Sequence, residues 1–114
     1  MLAINARQYL SVITTTGADI HVAVTYRDCG LGRGHTRTDC TAITAAVATP
    51  GTSVLAGPDT NAASKEIVGV HIRNIDTTSQ TVTVCLVSTD DAGTQTVFQL
   101  YKETIATGQE LVFE

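Results

Sequence analysis

Apolar and polar residues alternate with a period of two through most of this chain, which places successive side chains on opposite faces of a strand. In "DIHVAVTYR", residues 19–27, Ile20, Val22, Val24 and Tyr26 share one face while His21, Ala23, Thr25 and Arg27 share the other. "KEIVGVHIRN" repeats the scheme, with Val68, Val70 and Ile72 expected inward and Gly69, His71 and Arg73 outward. In "QTVTVCLVS" the inward set is Val82, Val84 and Leu86, and the outward set is Thr81, Thr83 and Cys85. "TQTVFQLYKET" breaks the rhythm, because Phe98 and Leu100 compete with Val97 and Tyr101 for the core face. That pattern is expected of a strand covered on both sides.

Shorter strands are predicted at "YLSVITT", "TAITAAVA", "TSVLA" and the closing "ELVFE", where Leu111 and Phe113 fall on one side. A terminal strand this apolar should be tied into a sheet, its own or a neighbour's. Turn signals separate the strands: Thr16-Gly17-Ala18-Asp19, Pro50-Gly51, Gly57-Pro58-Asp59, Asn74 to Ser79, Asp90 to Gly93 and Thr107-Gly108. The best helix candidate, "PDTNAASKE", is too short and too weakly apolar to hold itself together, and a loop with at most one helical turn is expected there. Short strands with turns at intervals of roughly 8 to 12 residues predict an all-β chain. The expected architecture is a single antiparallel β-sandwich over residues 1–114, jelly-roll or immunoglobulin-like, with about eight strands.

Composition sharpens that picture. Thr, Val, Ala and Gly abound, whereas Trp is absent and only two Phe and one Met occur. Thr and Val suit a pleated, half-buried surface. The 114 residues predict roughly 6,000 Å² of accessible surface when folded, enough chain for a core without staples. A formal charge of −4 with only seven Lys and Arg gives no general attraction for phosphate backbones, so no nucleic-acid partner is expected. No apolar run of membrane-spanning length occurs, and "MLAINARQYL" lacks the pattern of a signal peptide. No membrane partner is expected, and synthesis in the cytoplasm is. The odd count of three cysteines argues against a secreted disulfide framework.

Candidate chemistry concentrates in "CGLGRGHTRTDC", residues 29–40. A structural zinc site needs four ligands, and Cys29, His35 and Cys40 match no knuckle spacing even with Asp28 or Asp39 added. A dinucleotide loop needs a helix after its glycines, and the residues after Gly34 are Thr-rich and β-prone. A disulfide between Cys29 and Cys40 would close a loop worth about 3 kcal/mol in the chain-entropy model, although cytoplasmic synthesis works against it. The remaining reading is a glycine-rich surface loop whose Arg33, His35 and Arg37 meet acidic groups on a partner. His21 and His71 fall on outward strand faces, so neither joins a convergent base and nucleophile. "STDDAGTQ", with Asp90, Asp91 and Gly93, resembles half of a calcium loop but lacks the later Glu, and a hairpin turn explains it. No catalytic residue, cofactor or metal is expected, and a small-molecule ligand is not expected either. A sugar platform would present aromatics, and with three Tyr and no Trp this chain has little to offer one.

The C-terminal half carries a resemblance. "TSVLAGP", a polar loop, and "KEIVGVHIRNIDTTSQTVTVCLVSTDDAGTQTVFQLYKETIATGQELVFE", closing on Ile105-Ala106-Thr107-Gly108-Gln109-Glu110-Leu111, resemble a group of small virion proteins of tailed bacteriophages. The likeness is a pattern of strands and turns, and the cysteine-bracketed loop has no counterpart in it. The resemblance implies a non-enzymatic structural β-sandwich located in the virion. Such a protein decorates or cements the capsid, or builds the neck, the tail or the anchorage of fibres. It also implies partners: copies of the chain itself, with a trimer as the expected order, and the major capsid protein or other virion proteins.

Overall fold

The computed structural model describes residues 2–14, 19–29, 35–44, 47–58 and 63–113. Among them nine strands occur and no helix, one strand more than the alternation predicts. They are β1 (Ala3–Asn5), β2 (Gln8–Thr14), β3 (Ile20–Cys29), β4 (Thr36–Ile43), β5 (Val47–Ala56), β6 (Ser64–Asn74), β7 (Gln80–Thr89), β8 (Gln95–Ile105) and β9 (Glu110–Phe113). Two antiparallel sheets pack face to face. The larger runs β4, β3, β6, and the far edge of β6 is shared by β1 and β9. The smaller runs β5, β2, β7, β8. This is the expected all-β sandwich, and its accessible surface is 6229 Å².

The core lies where the period-two reading places it. Ile20, Val22, Val24 and Tyr26 of β3 are buried, as are Val70 and Ile72 of β6 and Val82 and Val84 of β7. Leu10, Val12 and Leu55 join them from β2 and β5 to form one cluster between the sheets. Fully burying such a side chain is worth roughly 1.5–3 kcal/mol. The closing strand is tied into its own sheet, with Leu111 opposite Ile72 and Val112 opposite His71.

Departures from the rhythm arise at bulges. Between β3 and β6 the register moves from Thr25 opposite Gly69 to Tyr26 opposite Ile67, leaving Val68 as the extra residue. Ile67 therefore takes the buried place expected for Val68, which is only half-buried. Pro50 and Gly51 do not end a strand. They lie inside β5, in a stretch where Val12 opposite Thr52 gives way to Thr14 opposite Val47. Gly51 has φ of 96°, and a Cβ there would sit 2.8 Å from the carbonyl oxygen of Val12. Pro50, lacking an N–H, accepts a bond at its carbonyl from the Ser11 hydroxyl, 2.7 Å away. The expected strand "TAITAAVA" divides between the end of β4 and the start of β5. Of the helix candidate, residues 59–62 lie outside the described residues and 64–66 already belong to β6.

In β7 the expected outward set is also corrected. Thr83 and Cys85 are buried, 4% and 0% exposed, together with Val82 and Val84, while Leu86 of the expected inward set is only half-buried. The cause is position: β7 is an inner strand flanked by β2 and β8, and Cys85 lies opposite Ser11 on one side and Gln99 on the other. β8 is corrected in the opposite sense. Its mixed pattern predicts cover on both faces, yet among the described residues it is an edge strand paired only with β7, and nearly all of its residues are exposed.

A buried polar side chain joins the two layers at one end of the sandwich. Asn74, at the end of β6, is fully buried, and its amide nitrogen donates to the carbonyls of Thr78 at 2.9 Å and Ile105 at 2.8 Å. Its side-chain oxygen accepts from the N–H of Asp76, 2.9 Å away. Its own backbone bonds Gln109 and Gly108 in the turn before β9. Replacing Asn74 with Ala removes the donors and leaves the buried carbonyl of Ile105 without this partner, so Asn74→Ala should lower unfolding free energy by about 1–3 kcal/mol. Urea titration should show the midpoint falling with the slope unchanged, while Thr77→Ala on the exposed loop should stay within about 0.5 kcal/mol of the parent.

Candidate functional site

The glycine loop that the sequence singles out is described only at its flanks. Residues 30–34, including Arg33 of the candidate contact set, lie outside the described residues. His35 is exposed, and its carbonyl accepts from the N–H of Asp28 at 3.0 Å. Arg37 is engaged within the chain, its Nε 3.2 Å from Asp28 Oδ2. With the Arg37 side chain 59% exposed, such a pair is worth at most about 1 kcal/mol, so a partner's carboxylate can compete for the guanidinium.

Around this pair the hairpin end collects more polar groups. The Tyr26 hydroxyl lies 3.5 Å from Asp39 Oδ1, and the Lys65 ammonium sits over the Tyr26 ring, 5.1 Å from its centroid. Burial, and then the nearby carboxylates of Asp39 and Asp28, push the Tyr26 phenol above its ordinary range, so it stays protonated. Cys29 Sγ lies 3.6 Å from Glu66 Oε2. The arrangement fastens β3, β4 and β6 together.

The candidate disulfide does not fit this register. Cys40 is opposite Ala23, whereas Cys29 lies six positions further along β3, opposite Ser64 of β6. At the rise of a strand that separation is about 20 Å, and a bridge needs Cα atoms within about 7 Å. All three cysteines are free thiols. The pairing of β3 with β4 through Thr36 opposite Arg27 carries Cys40 past Cys29, which loop length alone does not reveal.

The outward face of the larger sheet holds a hollow of about 420 Å³ that no spacing in the sequence announces. Four strands build it. One row across the sheet reads Ala42, His21, Arg73, Glu110, and the next reads Cys40, Ala23, His71, Val112. Ala23 and Ala42 are short, and the larger residues around them form the walls. Glu110 lies directly across from Arg73 in register, but its Oε1 is 2.9 Å from His71 Nδ1. An acceptor there assigns the proton to Nδ1. Arg73 makes no ion pair among the described residues. The hollow offers a forked cation beside an imidazole held by a carboxylate, a setting able to hold an anionic group but short of a metal's ligand set. No group of three or more metal-ligating side chains occurs among the described residues.

The acidic turn is explained by its own backbone. Asp90 Oδ1 accepts from the N–H groups of Ala92 and Thr94, each at 2.9 Å, and Gly93 takes φ of 85° to close the turn. Asp91 pairs with Arg7. The half calcium loop is thus a self-capped hairpin turn.

A different feature stands out on β8. Phe98, Leu100 and Tyr101 are 51%, 40% and 40% exposed, and they account for three of the five large exposed hydrophobics among the described residues. The register moves from Val84 opposite Tyr101 to Cys85 opposite Gln99, which makes Leu100 the extra residue of a bulge. Phe98 and Tyr101 therefore share a face, and this is why the sequence shows two competing apolar sets. No family model matches the chain, and no curated protein or solved structure does either.

The thiols give a direct test of this geometry. A maleimide should label Cys40 first and half-buried Cys29 more slowly under native conditions, with Cys85 reacting only on unfolding. Burial raises the Cys85 thiol above its ordinary range, which lowers its thiolate fraction further. Intact mass before and after reduction should be identical, since no bridge holds Cys29 to Cys40.

Proposed function

We propose that this chain is a structural subunit of a tailed-bacteriophage particle, a capsid decoration or cement protein that acts by protein–protein contact. The observation that carries the reading is the placement of exposed apolar side chains. Phe98, Leu100 and Tyr101 stand together on an open edge strand instead of scattering over the surface. An unpaired, apolar edge is a template for another protein chain, and contiguous exposed apolar surface marks an interaction site. The strand-and-turn resemblance of the C-terminal half supports the particle as the setting.

The mechanism is mass action. A subunit that binds the assembled shell and not its dispersed components stabilises the shell in proportion to occupancy. Many copies, each joined by a modest contact to its neighbour and to the capsid lattice, add avidity without requiring a tight single joint. The Arg37–Asp28 pair can exchange partners at little cost, which suits the hairpin end to a second contact with acidic groups on the major capsid protein.

Quantitative mass spectrometry of purified particles tests the assignment. A copy number that scales with the capsid lattice is the expected result. A single ring's worth of copies would move the protein to the neck or tail, and its absence from purified particles would overturn the reading.

A further inference from the structure

We infer that β8 joins antiparallel to β8 of a second copy of this chain, fusing two four-stranded sheets into one that runs through both molecules. This deepens the assembly reading by naming the first partner of the same edge. Three observations lead there. Among the described residues β8 pairs on one side only, with β7, so its other side presents a row of backbone donors and acceptors along the strand. The apolar segment, residues 97–101, sits in the middle of the strand, flanked by Gln95 and Thr96 on one side and Lys102, Glu103 and Thr104 on the other. The strand carries one positive and one negative side chain, so a second copy meets no net like charge.

Self-pairing matches these features to one another. A two-fold axis near the strand centre lays the apolar middle of one copy on the apolar middle of the other and sets polar ends against polar ends. Cross-strand aromatic and aliphatic pairs of this kind are each worth roughly 0.2–1 kcal/mol beyond the backbone bonds. The other open edges match less well. β4 presents Thr36, Arg37, Thr38, Asp39 and Cys40, all exposed and mostly polar, which would leave Phe98 and Tyr101 against charge. β5 contains Pro50, without an N–H, and two shifts of register. An isologous two-fold joint uses the open side of β8 in both copies and so closes on itself.

Sedimentation equilibrium on the full chain tests the joint without any particle, so it can fail or succeed independently of the particle count. A reversible monomer–dimer equilibrium is expected, and Phe98→Lys and Leu100→Lys should each weaken it by roughly tenfold or more with far-ultraviolet dichroism unchanged. A second measurement covers the case of a misfolded variant. In a Cys29→Ser, Cys40→Ser, Cys85→Ala background, which removes the thiol opposite position 99, Gln99→Cys should form a disulfide-linked dimer on mild oxidation, and Thr38→Cys on β4 should not. A protein that stays monomeric at all concentrations, a dimer indifferent to both lysine substitutions, or crosslinking through Thr38→Cys as readily as through Gln99→Cys would overturn the proposal.

Discussion

The closed end of the sandwich depends on a buried amide. Asn74 finishes β6 in one sheet and holds the carbonyl of Ile105, the last residue of β8, in the other. The same side chain fixes the loop to β7 through Thr78 and Asp76, and its backbone holds the turn that delivers β9. The Asn74 amide and the Ile105 carbonyl are shielded from water, where an unpaired donor or acceptor costs far more than a pair contributes. Asn74 thus ties the crossing from β6 to β7 to the end of β8. Once that crossing is set, β8 is left on the rim of its sheet and β9 is laid against β6.

The rims of the two layers are handled differently. The far side of β6 is covered by β1 and β9 in succession. β5 is broken by a proline and a left-handed glycine, and β4 is lined with threonines and charges. These are the usual means by which an edge is made unattractive to other strands. β8 has a lysine and a bulge, yet it keeps two aromatic residues and a leucine in solvent. The contrast among edges of one molecule gives the exposed apolar strand its meaning.

The hollow on the larger sheet is likewise a product of strand pairing. Antiparallel register brings His21, His71, Arg73 and Glu110 from three strands into one patch, and two alanines leave the space between them. The carboxylate chooses the imidazole over the guanidinium opposite it. Arg73 lines the same hollow and makes no ion pair among the described residues.

The period-two rhythm by itself determined the strands, the all-β class and most of the core, because a side chain on a strand has only two directions and water penalises the wrong one. Ile20, Val22, Val24, Val70, Ile72, Val82 and Val84 were legible for that reason. Tertiary structure alone decided the bulges at Val68 and Leu100 and inside β5, since an extra residue is defined only against a partner strand. It also decided that Cys85 is buried, that Cys29 and Cys40 pass each other out of reach, and that β8 is a rim and not an inner strand. Neighbour order in a sheet is a long-range property: the same apolar residues read as core or as contact surface according to whether another strand arrives beside them.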